Sequence, residues 1–172
     1  LEADGDNPRD IRINHPAYLQ ATLDYLRAVA EHFRGHPALL AYDIFNEIGN
    51  LSFDEATIDA FIRFLRRQYH DDIRALNAAW ASFFADFDGL KAIKPRWSRW
   101  RWSSLVASRD WHRFRGRNFT DRMDDWTAAI RQEDPDVILL ADILGCDPMH
   151  NRASGYFGVH DRQVAEHVQV LG

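Results

Sequence analysis

Apolar residues recur at three- and four-residue spacing along several stretches of this chain and run almost unbroken in two others. That contrast predicts helices alternating with buried strands. Leu19, Leu23, Leu26, Ala30 and Phe33 mark a first helix after Asn14, with Pro16 near its first turn and Gly35 and Pro37 ending it. Leu39 to Phe45 follows as a short apolar run, read as a parallel strand buried on both faces. Ser52-Phe53-Asp54-Glu55 resembles a capping box, and Ile58, Phe61, Ile62, Leu65 and Tyr69 carry a helix to about His70. A short helix is predicted over 73–80, whereas 82–103 has no regular signal. Trp111, Phe114, Phe119, Met123, Trp126 and Ile130 predict a long helix over 105–133, with an interruption expected at Gly116; Asp134-Pro135-Asp136 ends it. Val137 to Asp142 is the second apolar strand. A loop rich in Gly, Pro, Asn and His covers 145–158, followed by a short helix over 161–167 and the start of a third strand at 168–171. Helix, strand, helices, strand, helix, strand is the rhythm of a parallel α/β sheet.

Composition narrows the class. With 172 residues, 46% hydrophobic and 13% aromatic, the chain is globular, and residues 1–172 are expected to belong to a single domain. A formal net charge of −5 offers no overall attraction to nucleic acid or to an anionic membrane. The one cysteine, Cys146, excludes an internal disulfide and a Cys-rich metal cluster. No apolar run approaches the roughly 20 residues that span a bilayer, and the acidic start is unlike a signal peptide, so a cytoplasmic location is expected, with secretion left open.

The chemistry concentrates where the apolar runs stop. Asn46 and Glu47 end the first strand, and an amide beside a carboxylate is costly to desolvate there unless hydrogen-bonded or used. Carboxyl ends of parallel strands hold the active sites of α/β barrels, which makes Glu47 the leading catalytic candidate. Asp142 ends the second strand as a pocket-lining candidate, with a turn-forming role equally open to it. His150, Asn151 and Tyr156 follow that strand, where substrate hydroxyls would be met. In Pro95-Arg96-Trp97-Ser98-Arg99-Trp100-Arg101-Trp102, the indoles of Trp97 and Trp100 could stack on sugar rings or on single-stranded bases, or simply pack inward; the acidic total argues against bases. The eight histidines form no metal signature, and no cofactor motif is present.

The segment from His36 to Glu47 resembles the fourth barrel strand of clan A glycoside hydrolases. Phe64-Leu65-Arg66-Arg67-Gln68-Tyr69, then Ile73, Leu76-Asn77 and Trp80, is similar to the β-galactosidases of family 42 in that clan. The resemblance covers about residues 15 to 145. It implies a segment of a (β/α)8 TIM barrel, about strands 4 to 6, acting on a carbohydrate with retention of configuration. Such an enzyme needs a carboxylic acid to protonate the leaving oxygen and a second carboxylate about 5–5.5 Å away as nucleophile. Glu47 would be the acid/base and Asn46 the partner of the sugar 2-hydroxyl. The nucleophile is expected on the seventh strand, outside this segment, so the remaining strands belong to sequence not present here or to other copies in a homo-oligomer. The cysteine-bound zinc frequent in the family has no counterpart with one cysteine. A catalytically silent carbohydrate-binding or interaction protein on the same framework is the alternative, and RNA binding through the Trp/Arg tract is a third option.

Overall fold

The computed structural model describes residues 12–46, 52–92, 104–143, 159 and 161–172. Their elements are α1 (Pro16–Phe33), β1 (Ala41–Asn46), α2 (Glu55–Gln68), α3 (Ile73–Trp80), a 3-10 turn (Asp88–Ala92), α4 (Leu105–Glu133), β2 (Ile138–Asp142), α5 (Asp161–Val164) and β3 (Val170–Leu171). The chain divides into two compact units, Leu1–His15 with Ser52–Phe114, and Pro16–Leu51 with Arg115–Gly172. Among the described residues no helix is long and apolar enough to cross a membrane.

In the first unit the helix starts are set by aspartates. Asp54 caps α2, its Oδ1 accepting the Thr57 N–H at 2.7 Å, and Asn14 ties the Thr57 hydroxyl from outside at 3.1 Å. The expected Ser52/Glu55 box is thus corrected by two residues: the Asp54 carboxylate reaches the third helical N–H, while Ser52 Oγ accepts the N–H of Asp54 itself, at 3.5 Å. The turn after α2 is left-handed at His70 (φ 53°) and Asp71 (φ 57°), which ends the helix at Gln68. Asp72 caps α3 by accepting the Arg74 N–H at 2.9 Å, and that bond holds its carboxyl below its ordinary pKa. Phe61, Leu65, Leu76, Trp80, Trp111 and Phe114 form the core, with the Phe61 ring edge-on to Trp111 at 4.9 Å.

One charge lies inside this apolar cluster. Asp110 is fully buried on α4, and its carboxylate accepts from Trp80 Nε1 at 2.9 Å, the Tyr69 hydroxyl at 2.5 Å and Gln68 Nε2 at 2.9 Å, with Arg109 at 3.2 Å. A buried carboxylate is tolerable only when its lone pairs are filled in this way. Burial first, and then the bond to Asp110, raise the Tyr69 phenol above its ordinary pKa and keep it a donor.

The second unit is the sheet and its covering helices. β1, β2 and β3 are parallel in that order. Tyr42 reaches α1 by donating to the Ala30 carbonyl at 3.4 Å, and Phe45 packs edge-on to Phe119 of α4 at 5.3 Å. Leu139 and Ala141 are fully buried, whereas Ile138 is 39% exposed. This alternation covers one sheet face among the described residues, and Asp43 and Asn46 lie on the side of β1 that these residues leave open. β3 is locked to β2 by Gln169, whose N–H bonds the Leu139 carbonyl and whose side chain accepts the Leu139 N–H, both at 3.0 Å. His167 adds a contact to Asp124 of α4 at 3.1 Å.

Two further expectations are corrected. α4 runs unbroken through Gly116, which is buried among Arg115, Asn118, Phe119 and Thr120; tertiary packing outweighs the ~1 kcal/mol propensity cost of a helical glycine. The last helix stops at Val164 instead of 167, as the backbone turns to bring Gln169 onto Leu139.

Removing the buried acceptor should unlock the first unit. Asp110→Ala removes the acceptor shared by Trp80, Tyr69 and Gln68, and loss of a buried partner of this kind costs about 1–3 kcal/mol, so urea unfolding should show a loss in that range. A loss below about 1 kcal/mol would mean that the network does not hold α2, α3 and α4 together.

Candidate active site

The carboxyl ends of the three strands lie side by side. Register pairs Ala41 with Ile138, Tyr42 with Leu139 and Asp43 with Leu140, then shifts, so that Asn46 stands opposite Asp142. Three residues on β1 thus span what two span on β2, which is a β-bulge at the last step of the strand. On the far side, β2 pairs Ala141 with Leu171, and the Ile143 N–H donates to the Gly172 carbonyl at 3.3 Å.

The fold therefore brings together Asn46 and Asp142, two of the residues expected from the sequence. Glu47, Trp97, Trp100, His150, Asn151 and Tyr156 lie outside the described residues. Asp142 is half-buried and leans toward β3: a Cβ built on Gly172 would lie 1.9 Å from Asp142 Oδ1. Glycine at 172 is what leaves room for that carboxylate.

Asp43 was missed by the sequence reading. Its Oδ1 accepts the Phe45 N–H at 3.3 Å. Burial, and secondarily the Asp142 charge, push the Asp43 carboxyl above its ordinary pKa even though the Phe45 N–H pulls the other way. Two acidic groups from neighbouring strands thus influence each other electrostatically near the strand ends. The signal was present as the one charged residue inside an apolar run, where strand alternation sets it opposite Tyr42.

An amide and carboxylates at the carboxyl ends of parallel strands can orient hydroxyl groups and exchange protons. Among the described residues no group of three metal-ligating side chains occurs. The family model described as Beta-galactosidase matches residues 4–164. The chain belongs to glycoside hydrolase family 42. Beta-galactosidase Pbg of Clostridium perfringens is 30% identical over 135 residues, which is 73% of this chain and 19% of that protein. Beta-galactosidase BgaP of Planococcus sp. is 25% identical over 144 residues, 79% of this chain and 21% of that protein. The fold agrees with Gan42B, a family 42 β-galactosidase from G. stearothermophilus, at a TM-score of 0.74 and 24% identity, over 92% of this chain and 23% of that one. The family 42 segment is therefore a piece of (β/α)8 barrel, and it spans about a fifth of the length of these relatives.

Gly172→Ala tests the crowding at the strand ends. The added methyl must displace the Asp142 carboxylate, the free end of a half-buried side chain that can rotate away, so stability should change by only about 0.5 kcal/mol while the carboxylate moves. A crystal structure of the variant with Asp142 unmoved would contradict the contact.

Proposed function

We propose that the full-length protein is a retaining β-glycosidase of β-galactosidase type, in which Glu47 is the general acid/base. The observation that carries this is Asn46 at the carboxyl end of a barrel strand, beside Asp142, in a family 42 chain whose next residue in sequence is Glu47. Glu47 protonates the departing glycosidic oxygen and then takes the proton from the water that completes hydrolysis. Asn46 holds the sugar 2-hydroxyl, a bond that tightens as positive charge builds at the anomeric carbon. The nucleophilic carboxylate comes from a later strand of the same barrel. Asp142, His150, Asn151 and Tyr156 contact further hydroxyls, and Trp97 and Trp100 offer faces for sugar rings. Residues 1–172 are one part of a single catalytic domain that acts in the cytoplasm without a cofactor.

Glu47→Gln in the full-length protein separates this reading from a silent carbohydrate-binding protein. Loss of a positioned proton donor should lower kcat/KM on an unactivated β-galactoside by about 10²–10⁴-fold. An activated dinitrophenyl leaving group, which needs no protonation, should be affected far less. Equal turnover by the variant and the parent, or none by the parent, would refute the assignment.

A further inference from the structure

The turn after α3 is tightly held, yet it leaves one aromatic ring in solvent. α3 ends at Trp80, and Ala81 caps it in the left-handed conformation (φ 53°). Asn77 then fixes both residues that flank Phe83. Its Oδ1 accepts the Ser82 hydroxyl at 2.9 Å and the Phe84 N–H at 2.9 Å, and its Nδ2 donates to the Phe84 carbonyl at 2.8 Å. The Ser82 N–H adds a bond to the Asn77 carbonyl at 3.0 Å. Phe84 packs edge-on to the buried Trp80 at 6.5 Å, whereas Phe83 is 99% exposed.

A single apolar side chain on a surface is ordinary. A ring whose two neighbours are held by four hydrogen bonds is different, because a backbone already ordered loses little further freedom when a ligand settles on it. The ring borders an open cavity of about 550 Å³, a size that suits a small-molecule ligand. Ala78 and Ala81, which also line it, leave the approach unobstructed. The Arg74 side chain, 92% exposed with Nε 3.6 Å from Asp72, brings N–H donors to the rim. Ser82 gives its proton to Asn77 and keeps lone pairs that can accept. An apolar face flanked by a donor and an acceptor matches a pyranose, whose C–H face stacks on an aromatic ring while its hydroxyls bond at the edge. A folded partner fits less well. Such an interface covers roughly 800 Å² on each side, and among the described residues of the first unit Leu105 is the one other large apolar side chain that is exposed.

We propose that the turn after α3 is a second carbohydrate-binding site, in which Phe83 stacks on one sugar of a β-galactan chain and Arg74 and Ser82 bond its hydroxyls. The ligand class rests on the proposed glycosidase function, but binding here does not depend on turnover.

The test follows fluorescein-labelled β-1,4-galactan binding to the full-length protein by fluorescence anisotropy. Glu47→Gln is present throughout to suppress digestion, and excess galactose occupies the catalytic site. The galactan should bind, and Phe83→Ala should weaken it about 10-fold, the scale of losing one stacked ring. Phe83→Trp, with a larger face, should bind at least as tightly as Phe83, and Arg74→Ala should weaken binding several-fold. Both Phe83 variants should keep the parent's thermal unfolding midpoint, because the exposed ring supports no core. Absence of galactan binding, or binding untouched by Phe83→Ala, overturns the proposal. So does a Trp variant that binds no better than Ala. An oligomer seen by sedimentation in the parent and lost in Phe83→Ala, with galactan binding unchanged, would assign the ring to contact between copies instead. Full hydrolytic activity of Glu47→Gln would sink the catalytic assignment, while the dependence of initial galactan binding on Phe83 would still decide this one.

Discussion

The pairing of β1 with β2, regular for three residues and then slipped by one, is the constraint from which the site follows. A regular ladder would carry the alternation of faces straight to the end of the strand. The bulge breaks that alternation at the last step, so that Phe45 stays against Phe119 on the helix side while Asn46 comes opposite Asp142. Helix packing anchors the covered face through Tyr42 and Phe45, and the polar groups gather where that anchoring ends. Fold and chemistry meet at that step.

The first unit solves a different problem. Its aromatic core would specify compactness without fixing which rings face which, because apolar contacts have no direction. Asp110 supplies direction: three donors from α2, the turn after it and α3 converge on one carboxylate on α4. The cost of burying that charge is offset only when all of them arrive together. A neutral core of the same volume could be equally stable, so the network is best understood as selecting one arrangement of three helices.

Much of this was legible in the sequence. The helix positions followed from spacing, because a 3.6-residue repeat survives in any amphipathic helix, and the strands followed from short apolar runs bounded by Gly and Pro. Asn46 and Asp142 stood out because polar residues that end apolar strands are conspicuous, and register sets them opposite each other. Local competition among candidate caps hid the start of α2, where Ser52 and Asp54 both fit the pattern and only geometry separates them. The Asp110 network was invisible because its partners lie 30 to 42 residues away along the chain. Asp43 was passed over because a single charge inside an apolar run reads as noise until the structure shows its carboxylate taking the Phe45 N–H. The helix through Gly116 shows the reverse case, in which packing overrides a local preference.

The central claim is that a proton donor follows Asn46 at the mouth of a retaining barrel, and azide rescue of a Glu47→Ala variant of the full-length protein tests it most directly. With the acid/base carboxyl gone, azide can attack the glycosyl-enzyme without base assistance, so an activated aryl β-galactoside should regain turnover and give the β-configured glycosyl azide. No rescue in a variant shown to be folded, or an α-configured azide, would contradict the account.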